Sequence, residues 1–313
     1  MRHYVLRRIL QLLPILLGIS FLAFLLMHAT TDDAVDLLYE KSGAVTEEIK
    51  TAKRAELGLD QPFFVQYGNW LAGAVSGNMG KSFVSQKLVF ETFMDKLPAT
   101  ILLMVVSMLF TLSIAVPLGI YAAVKQNTAV DYLLRFISFI GNSLPNFFTA
   151  LLLIYFFALK LAWLPIMANK ESWMSVILPA MTLSVSMGAK YMRQIRAAVL
   201  EEMEKLYVRG ARARGVKEWR ILCSVLKNAG LLLITLSALS CGSLLGGTAI
   251  VESVFMWDGV GKMAVDAILA RDYPLVQVYV IWMSVIYVLV NLVADLLYHY
   301  LDPRIRLKGG MDR

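Results

Sequence analysis

An all-α integral membrane protein with six transmembrane helices is the fold class this sequence predicts, from its apolarity, the length of its apolar runs and the placement of its charge. The 313 residues are 58% hydrophobic with a mean hydropathy of +0.64, against about 45–50% apolar content in ordinary soluble domains. Leu- and Ile-rich runs recur at 9–27, 100–124, 136–159, 177–192, 231–250 and 278–297. With both termini inside, the segments left facing the cytoplasm (1–8, 125–135, 193–230 and 302–313) hold 18 Lys or Arg against 7 Asp or Glu, and the outer segments hold 11 against 15. That asymmetry has the sign of the positive-inside rule. The net charge of +7 is therefore topology, and no nucleic-acid surface is needed to explain it.

The first run covers about 28 Å at ~1.5 Å per residue, close to the ~30 Å hydrocarbon core, so it can span. Arg2, Arg7 and Arg8 ahead of it resemble a signal peptide, but the run exceeds a signal core and His28-Ala29-Thr30 is a poor cleavage site, so an uncleaved helix is expected. The long segment at 28–98 carries the pattern of a folded external element. Thr46 can cap a helix with Glu47 and Glu48 in its first turn, Lys53 and Arg54 in its last turns and Gly58 as its terminator. Phe63, Phe64, Tyr67 and Trp70 follow, and fit either an interfacial aromatic belt or a platform for an extracytoplasmic partner.

The fourth run is short and ends near Lys190, whose ammonium is expected to snorkel to the cytoplasmic interface. In the fifth, Gly242, Gly246 and Gly247 have the small-residue spacing of a close helix contact. Asn142, Asn291 and Asp295 stand singly within spans, and Asp295, about two turns before the arginines of Asp302-Pro-Arg-Ile-Arg306, is expected to make a structural ion pair or hydrogen bond near the interface in preference to serving a proton relay. Met181, Met187 and Met192 read as packing.

No catalytic or metal constellation emerges. Gly77-Asn-Met-Gly80-Lys81-Ser82 resembles a phosphate loop but has Val75 where the first glycine is required, and Leu239-Ser-Cys-Gly242 lies in an apolar span. His3, His28 and His299 lack ligand spacing, and Cys223 with Cys241 makes no disulfide framework.

The most informative stretch is 193–228, too polar for membrane and too patterned for a flexible loop. It reads as helix, break, helix: 201–214 is helix-forming, Gly215 can take the left-handed conformation that ends a helix, and 217–226 resumes. Tyr207 and Ala211, and likewise Arg209 and Ala213, fall four apart, with Gly210, Arg212 and Arg214 among them. Small and basic residues so arranged suit either a partner's groove or an anionic lipid surface.

Tyr207-Val-Arg-Gly-Ala-Arg-Ala-Arg-Gly215 resembles the cytoplasmic loop of permease subunits of bacterial ATP-binding-cassette importers, in their peptide and nickel variant. The resemblance runs through 57–61 with Tyr67 and Trp70, Leu97-Pro-Ala-Thr100, Ser143-Leu-Pro-Asn-Phe147, Gly246-Gly-Thr-Ala-Ile-Val-Glu-Ser-Val-Phe255, Arg271-Asp-Tyr-Pro-Leu-Val-Gln277 and Asp302-Pro-Arg-Ile-Arg306. It implies a type I importer permease of the bacterial inner membrane, itself non-catalytic, forming half of a pathway for nickel (as a chelate) or for di- and oligopeptides. Tyr207 and Arg209, Gly210, Ala211, Arg212, Ala213, Arg214 and Gly215 would be the coupling element. The implied partners are a second permease subunit in a heterodimer, two ATPase subunits that bind the ATP and Mg, a solute-binding protein and membrane lipid; this chain would hold no cofactor.

In these terms the expected parts are an arm and first helix at 1–27, an external segment at 28–98, the permease core at 99–301 with its coupling loop at 193–230, and a cytoplasmic tail at 302–313. Departures from the family pattern are Arg209 for a glutamate, Leu206 for an acidic residue, Asn228 for a proline and Asp258 for a proline. An ion-coupled secondary carrier would instead need buried titratable residues and an internal repeat, neither of which is evident.

Overall fold

The computed structural model describes residues 2–29, 35, 36, 39, 46–167 and 172–301. In chain order its elements are α1 (Arg2–His28), α2 (Glu47–Glu56), α3 (Phe63–Val75), α4 (Val89–Val124), α5 (Ala129–Ser143), α6 (Asn146–Leu153), a π-helical turn Ile154–Lys160, a 3-10 turn Trp173–Val176, α7 (Ile177–Met203), α8 (Leu206–Ala213), α9 (Glu218–Gly247), α10 (Ala249–Val254), α11 (Val260–Leu269) and α12 (Tyr273–Leu301). Among the described residues there is no β-strand, only an isolated antiparallel bridge between Lys81 and Leu88. The expected tail at 302–313, and with it the arginines expected to pair with Asp295, lies outside the described residues.

Each expected apolar run lies on helix, but the third is not one straight span. Pro145 has no N–H to donate and its ring pushes Leu144 to extended backbone (φ −79°, ψ 129°), which ends α5. The chain then turns through 107° into α6. Both halves are apolar, so hydropathy alone cannot register the turn. Among the described residues, 89–124 and 273–293 are long and apolar enough to cross a bilayer unaided, and the bent pair is a third candidate.

The fold divides into two compact units, residues 1–100 with 258–289 and residues 101–257 with 290–313. In the second, α7 is the helix on which α5, α6 and α9 pack. On α4, Ala115 and Ala122 are buried one turn either side of Gly119, and a Cβ at Gly119 would sit 2.9 Å from Ile195 Cβ and from the Met192 carbonyl oxygen. On α5, a Cβ at Gly141 would lie 3.2 Å from Ala189 Cβ. The close helix approaches are thus at Gly119 and Gly141. At Gly246 and Gly247, where the spacing predicted one, nothing lies within 4 Å of such a Cβ.

In the first unit, side chains fix the irregular backbone. Asp272 accepts hydrogen bonds from Ser82 Oγ (2.5 Å) and Phe83 N–H (3.0 Å), so the false phosphate loop ends in a buried carboxylate anchor. Thr100 Oγ1 accepts from Val260 N–H at 2.9 Å. Asp258, the departure from proline, pairs with Lys96. The expected external helix is present as α2, with Gly58 at φ +69° and the Leu59 N–H bonded to the Arg54 carbonyl, the glycine-ended stop of a helix. Thr46 does occupy the N-cap position, yet its side chain makes no capping bond. Arg54 and Lys50 turn instead to the Asp36 carboxylate.

The packing at Gly119 predicts that Gly119→Val lowers stability by about 1–3 kcal/mol, the usual cost of forcing volume into a closed contact. Gly230→Ala, at a position with open space around it, serves as the control. Thermal unfolding of the purified protein followed by size-exclusion fluorescence should show a lower midpoint for the first variant and not for the second.

Candidate functional site

The stretch singled out in the sequence folds as a short helix held between two long ones. α7 carries the chain out to Met203, α8 occupies Leu206–Ala213, and α9 returns from Glu218. Gly215 takes φ +73°, its N–H bonds to the Arg212 carbonyl (2.9 Å) and the Val216 N–H to the Ala211 carbonyl (3.1 Å). Those two bonds satisfy carbonyls that the helix end would otherwise orphan, and they require a left-handed residue at 215.

What ties α8 down is Glu202, which sequence reasoning passed over. It is 7% exposed. Its Oε1 accepts from Tyr207 Oη (2.9 Å) and from Asn228 Nδ2 (2.9 Å), and its Oε2 from Lys205 Nζ. One carboxylate thus joins the end of α7, the start of α8 and the returning α9. Burial pushes the Glu202 pKa up, but hydrogen bonds from Lys205, Asn228 and Tyr207 outweigh it and hold the carboxyl below the ordinary glutamate range. The same bonds explain Asn228, which supplies an amide donor where the family pattern has a proline. Beneath them Val199, Val208, Ile221 and Val225 are buried and give α8 its apolar footing.

The eight residues expected to act together divide by direction. Tyr207 turns its hydroxyl back to Glu202, and Arg212 forms a fork with Glu218 (Nε to Oε1 2.9 Å, Nη2 to Oε2 3.3 Å) across the Gly215 turn. Arg209, Ala213, Arg214 and Gly215 are exposed, while Gly210 and Ala211 are half-buried. Two further residues join that surface: Leu206, noted in the sequence only as a departure from the family pattern and 82% exposed, and Trp219, 60% exposed with the Arg220 guanidinium 5.3 Å from its ring centroid. Leu206, Arg209, Gly210 and Ala213 share one face of α8 by their spacing. The signal available in the sequence was Leu206 itself, an apolar residue opening an otherwise basic helix.

A second cluster lies in the other unit, around His28. Its ring stacks on Phe24 at 4.3 Å, lies 5.3 Å from Phe63 and 5.1 Å from Tyr273, and bonds through Nε2 to Gln66 Oε1 at 3.0 Å. Two aromatic residues of α3 are therefore packed on α1, Phe63 and Tyr67 against Phe21 and Phe24, while Phe64 is exposed. Among the described residues no group of three or more His, Cys, Asp or Glu is placed to hold a metal ion.

Known proteins resemble this chain throughout its length. Residues 115–307 match the family described as binding-protein-dependent transport system inner membrane component, and residues 1–104 match the N-terminal region described for such membrane components. The glutathione transport system permease protein GsiC of Escherichia coli strain K12 is 37% identical over 311 residues, covering 98% of this chain and 100% of the relative. The oligopeptide transport system permease protein AppB of Bacillus subtilis strain 168 is 37% identical over 316 residues, covering 97% and 99%. Among solved structures, an inward-facing form of the MetNI methionine ABC transporter matches with a TM-score of 0.54 at 17% identity, covering 68% of this chain and 97% of that one. That likeness concerns the fold, which is that of a type I importer permease.

A carboxyl whose pKa is lowered by folding contributes stability that is full above its unfolded pKa and is lost as the pH falls through the lowered folded value. Amide protection of residues 206–213, corrected for the intrinsic pH dependence of exchange, should therefore hold from neutrality down to the ordinary glutamate range and decline below it. Glu202→Gln should show weaker protection at neutral pH and no such decline. Identical profiles for the two proteins would remove Glu202 as the clamp.

Proposed function

This chain belongs to the family of binding-protein-dependent transport system inner membrane components, and from that premise we propose that it forms half of the import pathway for short peptides, glutathione among them. It is a permease subunit of an ATP-driven importer. The peptide reading rests on the relatives described above, both full-length matches whose names specify glutathione or oligopeptides. Nickel, the other substrate the sequence suggests, has no support in those names. In this reading a second, distinct permease subunit completes the pathway, two ATPase subunits bind the ATP and Mg, a solute-binding protein delivers substrate to the outer face, and both termini lie in the cytoplasm.

The observation that carries the coupling role is the exposed face of α8 on a rigid footing. Leu206, Arg209, Gly210 and Ala213 offer one apolar contact, one unpaired cation and two small residues to a groove. Behind them Val208 is fully buried and Glu202 ties the helix to both neighbours. A helix so held cannot tilt without moving α7 and α9, which is what a transmission element needs. ATP binding drives transport only if it favours one facing of the pathway over the other, and α8 is where that preference would enter the membrane helices.

Two variants separate the bend from the surface. A Cβ at Gly215 meets nothing within 4 Å, so Gly215→Val acts through its φ of +73° alone, at a cost on the order of 1–3 kcal/mol. Arg209→Glu leaves the fold's own bonds untouched and reverses one charge on the exposed face. In proteoliposomes holding the complete transporter, both variants should insert normally, copurify less ATPase subunit and lose most ATP-dependent uptake. Copurification and uptake equal to wild type for both would rule out α8 as the coupling element.

A further inference from the structure

We propose that Lys190, with Asn142, Asn146 and Ser186, forms a binding station on the import pathway for the carboxylate end of a peptide; this rests on the peptide-importer reading above and adds where and how the substrate is held. The four side chains line one cavity of ≈ 210 Å³, walled by Leu183 and Leu244. Asn142 closes α5, Asn146 opens α6 just beyond the 107° turn, and Ser186 and Lys190 lie four apart on the facing surface of α7.

Several observations mark this cavity as suited to a polar anionic ligand. None of the four side chains has a hydrogen-bond or ion-pair partner among the described residues, although neighbouring hydroxyls on the same helices do: Ser138 Oγ donates to the Ala189 carbonyl at 2.5 Å, and Ser184 Oγ to the Met181 carbonyl at 2.8 Å. Lys190 is exposed, and no carboxylate lines the cavity with it. The nearest cations along α7 are Arg193 and Arg196, the latter committed to Asp131, so the cavity keeps a net positive charge. Lys190 lies three residues before Arg193, about 4.5 Å along the helix at ~1.5 Å per residue, at the end of the apolar run 177–192. An ammonium and two carboxamides are costly to leave facing lipid, so this face turns toward the pathway that the chain shares with the second permease subunit.

The chemistry selects the ligand. An ammonium is a point charge for an anion, and paired carboxamides donate to and accept from a peptide bond. At ≈ 210 Å³ the cavity holds one end of a peptide, below the ~300–1,000 Å³ of pockets that enclose whole ligands. A carboxylate flanked by an amide, the terminus of any peptide and of glutathione, fits those groups.

The test is ATP-dependent uptake of glutathione and of trialanine by proteoliposomes containing the complete transporter with Lys190→Gln, Lys190→Arg or Arg193→Gln. Lys190→Gln should lower uptake of both at least tenfold while keeping assembly and the stimulation of ATPase by loaded binding protein. Lys190→Arg should keep more than half of wild-type uptake, and Arg193→Gln should change it less than twofold. Wild-type uptake by Lys190→Gln, or equal loss in the Gln and Arg variants, overturns the Lys190 assignment and leaves the importer reading standing. Absence of ATP-dependent uptake of either probe by the wild type sinks the peptide reading and this inference with it.

Discussion

The arrangement of the permease core hangs on one ion pair. Asp131, with no exposed surface, receives two parallel hydrogen bonds from Arg196, Nε to Oδ1 and Nη2 to Oδ2, each 2.7 Å. A guanidinium and a carboxylate joined in this way admit little rotation, so the first turn of α5 is fixed against α7 in both register and angle. Everything further along α5 inherits that register. Seven residues on, Ser138 reaches the Ala189 carbonyl; ten residues on, Gly141 allows α5 to close on Ala189; and beyond it Asn142 faces Ser186 and Lys190 across one cavity. Asn127 N–H also bonds to Asp131, which pins the turn before the helix. The hydrogen bonds from Arg196 and Asn127 hold the Asp131 carboxyl below its usual range against the opposing effect of burial, as a charge meant to stay ionised requires.

Carboxylates recur as the organisers of irregular backbone. Asp272 holds the segment at Ser82 and Phe83, Glu202 holds α8, and Asp131 holds the entry to α5. In each case the acid accepts two or more hydrogen bonds, at least one of them from a segment remote in sequence, which is the condition under which burying it is tolerable. Around α8 these acids fix the turns, while Arg209 on the helix and Arg214 and Lys217 just after it are exposed and make no ion pair among the described residues.

This also sets the limit of what the sequence discloses. Apolar runs and charge bias locate helices because both depend on composition over many residues, and Gly58 and Gly215 were legible because a left-handed helix stop restricts residue type at a single position. Glu202 was not legible. It stands in Glu201-Glu202-Met203-Glu204, which reads as a solvated acidic face, and only the return of α9 brings Asn228 to it across 26 positions. The turn at Leu144-Pro145 was hidden by the apolarity on both sides of it. Asn142 looked solitary for the same reason: its neighbours Ser186 and Lys190 are more than forty positions away along the chain and arrive only through the Asp131–Arg196 register. Of the coupling residues, spacing placed Arg209 and Ala213 on a common face, but it could not tell that the Tyr207 hydroxyl turns back to Glu202.

The two sites lie on a single element. Glu202 and Lys190 are both on α7, twelve residues apart, which at ~1.5 Å per residue is about 18 Å of unbroken helix. A packed helix of that length moves as a body, because shortening or bending it would break its ladder of backbone hydrogen bonds. In the coupling proposed for α8, displacement by an ATPase subunit passes through the Glu202 clamp into α7 and carries Lys190 relative to Asn142 and Asn146. The station would then be closed around a carboxylate in one facing of the pathway and opened in the other. Reciprocity follows: a substrate that binds better to one arrangement of Lys190 must favour the matching position of α8 by the same free energy.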